Sequence, residues 1–221
     1  MLTPLQRDLE AVAAGRAPGT SRVDLLVVAH MIEPGAKVLD VGCGDGELLR
    51  ILAETRGVDG RGIELSREGV NQSVAKGLAV VQGDADNDLP VYPDDAYDVA
   101  ILSKTIQELA RPKFVLAELS RISRKVIISF RNYGHWKVRT ALLRTGRIPS
   151  LSSGDTGWWS DGARRPCTAR DMADLAGELG MHITAATAVS GTPVGVNALS
   201  RLNWTAEELV FVLERGKAAA E

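Results

Sequence analysis

A glycine-rich turn lies between a short apolar run and the start of a helical pattern. The apolar run covers residues 37–41, glycines follow at positions 42, 44 and 46, and leucines recur at helical spacing over residues 47–56. Glycine permits left-handed backbone conformations and lets the main chain lie directly against a bound molecule. The pattern predicts a strand that leads into a helix through a ligand-binding turn, although a tight turn without a ligand would use the same residues.

Strand-like and helix-like segments alternate along the rest of the chain. Strands are predicted over residues 37–41, 60–65, 78–82, 97–102, 125–130, 181–189 and 209–213. Strands that alternate with helices form right-handed crossovers and a parallel sheet. No crossover helix is predicted between the last two strands, so we expect a hairpin-like pair at the sheet edge with the last strand inserted antiparallel. The predicted fold class is α/β, a doubly wound, seven-stranded and mostly parallel sheet.

The length and composition suit one compact domain. The chain has 221 residues, 45% of them hydrophobic, and we expect an N-terminal helix and linker over residues 1–21, a main domain over 22–215 and a tail over 216–221. A net charge of −2 disfavours general binding to nucleic acids or anionic membranes. Two cysteines are too few for a disulfide framework or a zinc site, and no apolar run is long enough to span a bilayer. We therefore expect a cytoplasmic protein without a metal site.

Acidic residues surround the turn and follow the next two predicted strands. Asp40, Asp45 and Glu47 flank the glycines and would repel a pyrophosphate, so the turn favours a cationic ligand. Glu64 ends the second strand about 20 residues beyond the turn, where a carboxylate accepts hydrogen bonds from ribose hydroxyls. Asp84 follows the third strand and is placed to accept from an adenine amino group. Alternatives stay open: Glu64 as a solvated strand-end acid and Asp84 as a turn-forming residue.

S-adenosylmethionine fits these requirements, because it combines a sulfonium and an ammonium group with adenosine. Residues 37–102 resemble the cofactor region of class I S-adenosylmethionine-dependent methyltransferases, which implies a Rossmann-like fold. A narrower resemblance, to the MetW family of methionine biosynthesis proteins, extends from about residue 22 to residue 215. It is carried by residues 22–24, 38–46, 60–64, 81–86, 103–107, 132–136 and 206–209. The predicted cofactor site comprises Asp40, Gly42, Cys43, Gly44, Gly46, Glu64, Leu65, Asp84, Ala85 and Ser103.

The resemblance implies a protein that works beside homoserine O-acyltransferase in making methionine. The family pattern does not define a methyl acceptor. This chain departs from the pattern in its second half, with Lys104 in place of glutamine, Arg131 in place of proline, and Arg165 and Pro166 in place of histidine and phenylalanine. Residues 150–164 also match the family pattern poorly. The departures concern the region where an acceptor or a partner would bind.

Candidates for a catalytic group are few. Methyl transfer from a sulfonium depends mainly on positioning, with a base where the acceptor must lose a proton. His135 is the candidate base, and the alternative is a hydrogen-bonded packing residue. Lys104 either binds an acidic group or is a solvated lysine, and Trp158 and Trp159 form a lid, a docking surface or part of the core.

Three functional hypotheses follow from these motifs. The first is an S-adenosylmethionine-binding accessory protein of homoserine O-acyltransferase. The alternative is an active methyltransferase that acts on a small molecule. A nicotinamide-dependent dehydrogenase is disfavoured, because the glycine spacing differs from the dinucleotide pattern. No nucleobase-methylating motif follows the fourth strand, and the oligomeric state stays open.

Overall fold

The computed structural model describes residues 7, 10, 11, 22–149, 165–189 and 199–216. One sheet organises this part of the chain. Its strands are β1 (Lys37–Val41), β2 (Asp59–Glu64), β3 (Val80–Gln82), β4 (Tyr97–Ser103), β5 (Ser123–Arg131), β6 (Met181–Ala188) and β7 (Glu208–Arg215). Their order across the sheet is β3-β2-β1-β4-β5-β7-β6. The first three strands therefore run outward from β1 on one side, and the later strands lie on the other.

Helices cover both faces of the sheet. They are α1 (Val23–His30), α2 (Glu47–Arg56), α3 (Arg67–Ala75), α4 (Ala85–Asp88), α5 (Pro112–Ile122), α6 (Trp136–Thr145), α7 (Ala169–Glu178) and α8 (Leu199–Thr205). Side-chain caps begin several of them: Ser66 accepts a hydrogen bond from the Gly69 amide at α3, and Thr168 and Asp171 form a capping box at α7. Such caps satisfy amide groups that have no partner within the helix.

Strand pairing creates a crevice at the end of β1. β1 pairs in parallel with both β2 and β4, so that Asp40 lies opposite Gly62 on one side and Ile101 on the other. The crossovers leave β1 and β4 in opposite directions, which makes their carboxyl ends a topological switch point. Ligands of open α/β sheets bind at such points.

Alternating apolar residues place the core on both sides of the sheet. In β5, Val126 and Ile128 belong to one buried cluster, with the apolar face of α5, while Ile127 belongs to a second cluster, with α1 and α2. All three side chains are fully buried. The unbroken apolar run in this strand is thus explained by burial on both faces.

The doubly wound α/β class, the seven strands and the antiparallel last strand are confirmed. The prediction that no helix separates the last two strands was wrong, because α8 precedes β7. The expected insertion of the last strand is confirmed, because β7 lies between β5 and β6 and pairs antiparallel with both, so that β6 forms the edge of the sheet. The acidic, proline-containing sequence over residues 86–95 is typical of a loop, but the structure has α4 and a 3-10 turn over Leu89–Val91 there. Both missed helices are too short to show a helical period.

Several expectations lie outside the described residues. They concern the N-terminal linker, the C-terminal tail beyond residue 216, and residues 150–164 with Trp158 and Trp159. Across the described residues, no helix combines the length and the apolar character that crossing a bilayer requires.

Candidate functional site

The glycine turn after β1 has the left-handed backbone that its sequence predicted. Gly42, Gly44 and Gly46 have φ angles of 73°, 57° and 76°. The amides of Gly42 and Cys43 both donate to the Ile63 carbonyl of β2, at 2.8 and 3.2 Å. The turn is therefore fastened to the neighbouring strand and holds its shape as part of the sheet.

The glycines differ in what surrounds them. A Cβ atom on Gly42 would lie 2.5 Å from Thr105 Cγ2, and one on Gly46 would lie 2.5 Å from Leu78 Cδ1. A Cβ atom on Gly44 would meet no heavy atom within 4 Å. Close packing against Thr105 and Leu78 thus requires glycine at positions 42 and 46. At Gly44 no neighbouring atom covers the backbone, which leaves it accessible to a ligand.

An open cleft of about 190 Å³ lies over this turn, at the carboxyl ends of β1 and β4. Five of the predicted cofactor residues, Asp40, Gly42, Cys43, Gly44 and Ser103, line it. The other lining residues are Arg22, Leu25, Asp45, Glu47 and Leu48. Residues from α1, β1, β4 and α2 therefore converge on one concave site, as the switch-point rule predicts.

Asp40 is the most unusual group in the cleft. Its side chain is 1% exposed, and its Oδ1 atom accepts no hydrogen bond from any residue that the structure describes. Burial raises the pKa of this carboxyl group to about 7, and the nearby Glu64 carboxylate contributes in the same direction. A buried carboxylate with a free acceptor atom is a site that a cationic ligand group would stabilise.

Glu64 is joined directly to the glycine turn. Its Oε2 accepts from the Gly44 amide at 2.8 Å and its Oε1 accepts from the Ser66 amide at 2.8 Å. A Cβ atom on Gly69 would lie 2.9 Å from Glu64 Cγ, so that α3 packs closely against this side chain. Each carboxylate oxygen has a second lone pair, which leaves acceptor positions for hydroxyl groups.

Two other acids of the turn are neutralised within the protein. Asp45 Oδ2 lies 2.8 Å from Lys76 Nζ, and Glu47 Oε1 lies 2.7 Å from Arg50 Nη2. Hydrogen bonds from these cations lower the pKa of both carboxyl groups. Asp45 and Glu47 therefore contribute less to the predicted preference for a cationic ligand than Asp40 and Glu64 do.

The remaining predicted cofactor residues lie beside the cleft or after β3. Asp84 caps α4: its Oδ1 accepts from the Asp86 amide at 2.9 Å and its Oδ2 from Asn87 Nδ2 at 2.6 Å. This geometry matches the turn-forming alternative and still leaves lone pairs on both oxygens. Ala85 is buried in α4, and Leu65, directly after Glu64, is 66% exposed.

One thiol and one imidazole group near these elements, those of Cys43 and His135, are buried. Cys43 fills space against Gly62, and burial raises the pKa of its thiol above the ordinary value. His135 is 3% exposed, and its Nδ1 accepts from the Lys137 amide at 3.2 Å, so that the imidazole caps α6. The geometry shows His135 as a hydrogen-bonded packing residue and supplies no evidence for a base.

Among the described residues, no cluster of three His, Cys, Asp or Glu side chains is arranged to hold a metal ion.

A chain of ion pairs beside the cleft was missed by the sequence reasoning. Lys104 Nζ lies 2.9 Å from Asp24 Oδ2 and 3.1 Å from Glu208 Oε2. Arg22 contacts Asp24 at 3.5 Å, and Arg131 contacts Glu208 at 3.4 Å. Lys104 thus binds acidic groups, as one of its two interpretations stated, but these acids belong to the protein. The sequence signal was present in the motifs at 22–24 and 206–209.

Lys104→Met is expected to lower the free energy of unfolding by about 2 kcal/mol near neutral pH, because the largely buried Asp24 would lose its nearer cation and keep the more distant Arg22, at 3.5 Å. Burial alone would raise the pKa of Asp24, but Lys104, with a smaller contribution from Arg22, outweighs burial and lowers the pKa below 3.8. The stabilisation is therefore present above about pH 4 and is lost as pH falls through the lowered pKa. Urea unfolding of the variant and the unmodified protein, near neutral pH and at a pH below about 4, measures the difference in stability at each pH.

Lys113→Met is the matched control for this variant. Lys113 pairs with Glu178 at 2.7 Å, but both side chains are more than 60% exposed. Exposed pairs contribute little, so we expect no measurable change. An equal loss of stability in both variants would contradict the special role of the Lys104 pair.

Comparison with known proteins identifies the family. The family described as methionine biosynthesis protein MetW matches residues 22–213. The chain is 31% identical over 186 residues to the bifunctional methionine biosynthesis protein MetXA/MetW of Rhodopirellula baltica, and the match covers 80% of this chain and 30% of that protein. A 2-phytyl-1,4-naphtoquinone methyltransferase of Synechococcus elongatus is 36% identical over 100 residues, which are 41% of this chain and 42% of that protein. The chain thus spans less than half the length of either relative.

Solved structures share the fold. An S-adenosylmethionine dependent methyltransferase from Mesorhizobium loti superposes with a TM-score of 0.66 at 16% identity, covering 88% of this chain and 99% of that one. At this identity the likeness establishes the methyltransferase-like fold alone. The family match, by contrast, extends over most of the chain and includes both the glycine turn and the ion-pair motifs. The protein therefore belongs to the MetW family of methionine biosynthesis proteins.

Proposed function

We propose that the cleft over the glycine turn binds S-adenosylmethionine and its product S-adenosylhomocysteine. The observation that carries this proposal is Asp40, a buried carboxyl group whose Oδ1 has no partner among the described residues. It would accept from the ammonium group, and Glu64 would accept from the ribose hydroxyls. When bound, the cofactor supplies an electrophilic methyl group on sulfur.

Other residues support the same ligand. The open backbone at Gly44 gives the ligand a surface to lie on, and Cys43 and Ser103 line the cleft beside it. Asp84 and Ala85 would border the adenine after β3, and the exposed Leu65 offers apolar surface next to Glu64. Gly42 and Gly46 would act indirectly, by allowing the turn to pack on the protein.

We further propose that the protein assists homoserine O-acyltransferase in methionine biosynthesis. Membership of the MetW family supports this role, and so does a relative whose name joins MetXA and MetW in one bifunctional protein. The burial of His135 and the use of its Nδ1 as a cap of α6 are consistent with this role. In this proposal, the partner carries out the acyl transfer and the MetW-family protein, with its cofactor bound, supports it.

Copurification with the acyltransferase of the same organism tests this role. We expect a stable complex and a change of acyltransferase activity when the protein is added, with a further change when S-adenosylmethionine is present. Asp40→Asn should retain the complex but lose the effect of the cofactor, which separates binding of the partner from binding of the ligand. Absence of both a complex and an effect on activity would refute the accessory role.

A second candidate is methyl transfer to a small molecule. The partial likeness to a naphthoquinone methyltransferase and the cofactor residues in an open cleft favour it. Labelled S-adenosylmethionine incubated with metabolite extracts would then transfer its methyl group, and Glu64→Ala would abolish the transfer. Cofactor binding without any labelled product would leave the accessory role as the better account.

A further inference from the structure

The outer face of α6 exposes large apolar side chains beside its basic residues. Trp136, Arg139 and Leu143 are spaced by three and seven positions, so they lie on one face of the helix. Trp136 is 43% exposed and Leu143 is 86% exposed, while Val138 on the opposite face is buried. The helix therefore already has a buried side, and its second apolar side faces outward.

Trp204, from α8, extends this face. The Arg139 guanidinium lies 5.3 Å from the centre of the Trp204 ring, and this indole is 51% exposed. We call the residues Trp136, Arg139, Leu143 and Trp204 the tryptophan stripe. Tryptophan and arginine are the residues most enriched in the energetic centres of protein interfaces. A contiguous exposed group of such residues is typical of an interaction site.

A buried side chain fixes both ends of the stripe. Asn132 is fully buried, and its Nδ2 donates to the Asn203 carbonyl at 3.0 Å, next to Trp204. Its Oδ1 accepts from the Gly134 amide at 2.9 Å, close to the start of α6 and Trp136. The two indole-bearing segments are thus held by one residue. Anchors that are preorganised in this way lose little entropy on binding, which favours recognition of a shaped protein surface.

The charged residues of α6 and the turn that follows it are all basic. From residue 136 to residue 147 the charged residues are Lys137, Arg139, Arg144 and Arg147, with no acid, although the whole chain has a net charge of −2. Of these, Lys137 pairs with Glu207 at 2.6 Å. A basic rim around apolar anchors is complementary to an apolar surface with an acidic rim.

We propose that the tryptophan stripe is the docking surface for homoserine O-acyltransferase, an assignment that rests on the association proposed above. The partner presents apolar pockets for Trp136 and Trp204 and carboxylates for the arginines of α6. The stripe lies on elements other than those that line the cofactor cleft, so that partner and cofactor bind at separate places.

Calorimetric titration of the acyltransferase into the full-length protein tests the surface. We expect Trp136→Ala, Arg139→Glu and Leu143→Gln, combined in one variant, to weaken binding by roughly 30-fold or more. Val91→Gln is the matched control, because Val91 is 80% exposed but lies in the 3-10 turn after α4. Its affinity should stay within about twofold of the unmodified protein. Unchanged thermal unfolding and unchanged titration with S-adenosylmethionine show that the variants are folded.

The outcomes separate the surface from the association itself. A complex that forms equally well with the stripe variant overturns the docking surface and leaves the accessory role intact. A failure of the unmodified protein to bind the acyltransferase overturns the association, and the docking assignment with it. Cosedimentation with vesicles of phosphatidylcholine and phosphatidylglycerol that is lost in the stripe variant, without an effect on the acyltransferase, would assign the stripe to a membrane and refute the proposal.

Discussion

Asp40→Asn is expected to weaken binding of S-adenosylmethionine by about tenfold or more, because the ligand ammonium loses a charged acceptor. The same variant should make the ligand-free protein more stable near neutral pH. In the unmodified protein the Asp40 carboxyl group is buried and has no cation partner among the described residues, and its pKa is raised from 3.8 to about 7. One substitution thus moves affinity and stability in opposite directions, which a residue with a purely structural role would not do.

Both effects of Asp40→Asn, on stability and on ligand affinity, should depend on pH in a direction that the raised pKa of Asp40 defines. An acid with a raised pKa binds its proton more tightly in the folded protein, so its contribution to stability falls as pH rises from about 4 to about 7. The advantage of Asp40→Asn should grow over this interval to the order of 4 kcal/mol. Affinity for the ligand should rise with pH over the same range in the unmodified protein, by up to about tenfold per unit, and should be flat in the variant.

Urea unfolding and calorimetry at several pH values measure both effects. Asp59→Asn is the control, because Asp59 is exposed on β2 and pairs with Arg61 at 3.3 Å. We expect it to change neither affinity nor the pH profile. If Asp40→Asn bound the ligand as tightly as the unmodified protein, with the same pH dependence, Asp40 would not be the ammonium acceptor.

Gly46→Ala is expected to lower the free energy of unfolding by about 3 kcal/mol, because two costs add at this position. A left-handed φ of 76° costs an alanine about 1–2 kcal/mol. The new Cβ atom would also lie 2.5 Å from Leu78 Cδ1 and 2.7 Å from Ser73 Oγ, and such overpacking costs about 1–3 kcal/mol. Ser73 donates to the Gly44 carbonyl at 3.1 Å, so its displacement should disturb the turn and weaken ligand binding as well.

Gly57→Ala isolates the first of these costs. Gly57 ends α2 with a φ of 61°, and a Cβ atom there would meet nothing within 4 Å. Its expected loss is about 1 kcal/mol, with unchanged affinity for the ligand. Chemical unfolding of both variants gives the comparison. Equal losses would show that packing at Gly46 contributes nothing beyond its backbone conformation.

The architecture was predictable where local chemistry and global fold agree. The bounds of β1 and α2 follow the sequence pattern without a shift, because an apolar run, three glycines and a leucine-bearing face specify strand, turn and helix in succession. Ser66 and Thr168 begin helices by capping amides that any helix leaves free. The position of Asp40 and Gly44 in one cleft follows from the switch point of a parallel sheet.

What the sequence left open depends on contacts between distant segments. Lys104 meets Asp24 and Glu208 only because α1, β4 and β7 come together in the fold, and no local pattern encodes that distance. The neutralisation of Asp45 by Lys76 likewise joins the turn after β1 to the end of α3. The short helix α8 before β7 was also missed, since seven residues are too few to show a helical period.

Calorimetric titration of the purified, ligand-free protein with S-adenosylmethionine, beside a parallel titration with NADH, tests the central claim most directly. We predict one site with an affinity in about the micromolar range for S-adenosylmethionine, weakened in Asp40→Asn, and no binding of NADH. Tight binding of NADH together with no heat from S-adenosylmethionine would contradict the assignment of this cleft.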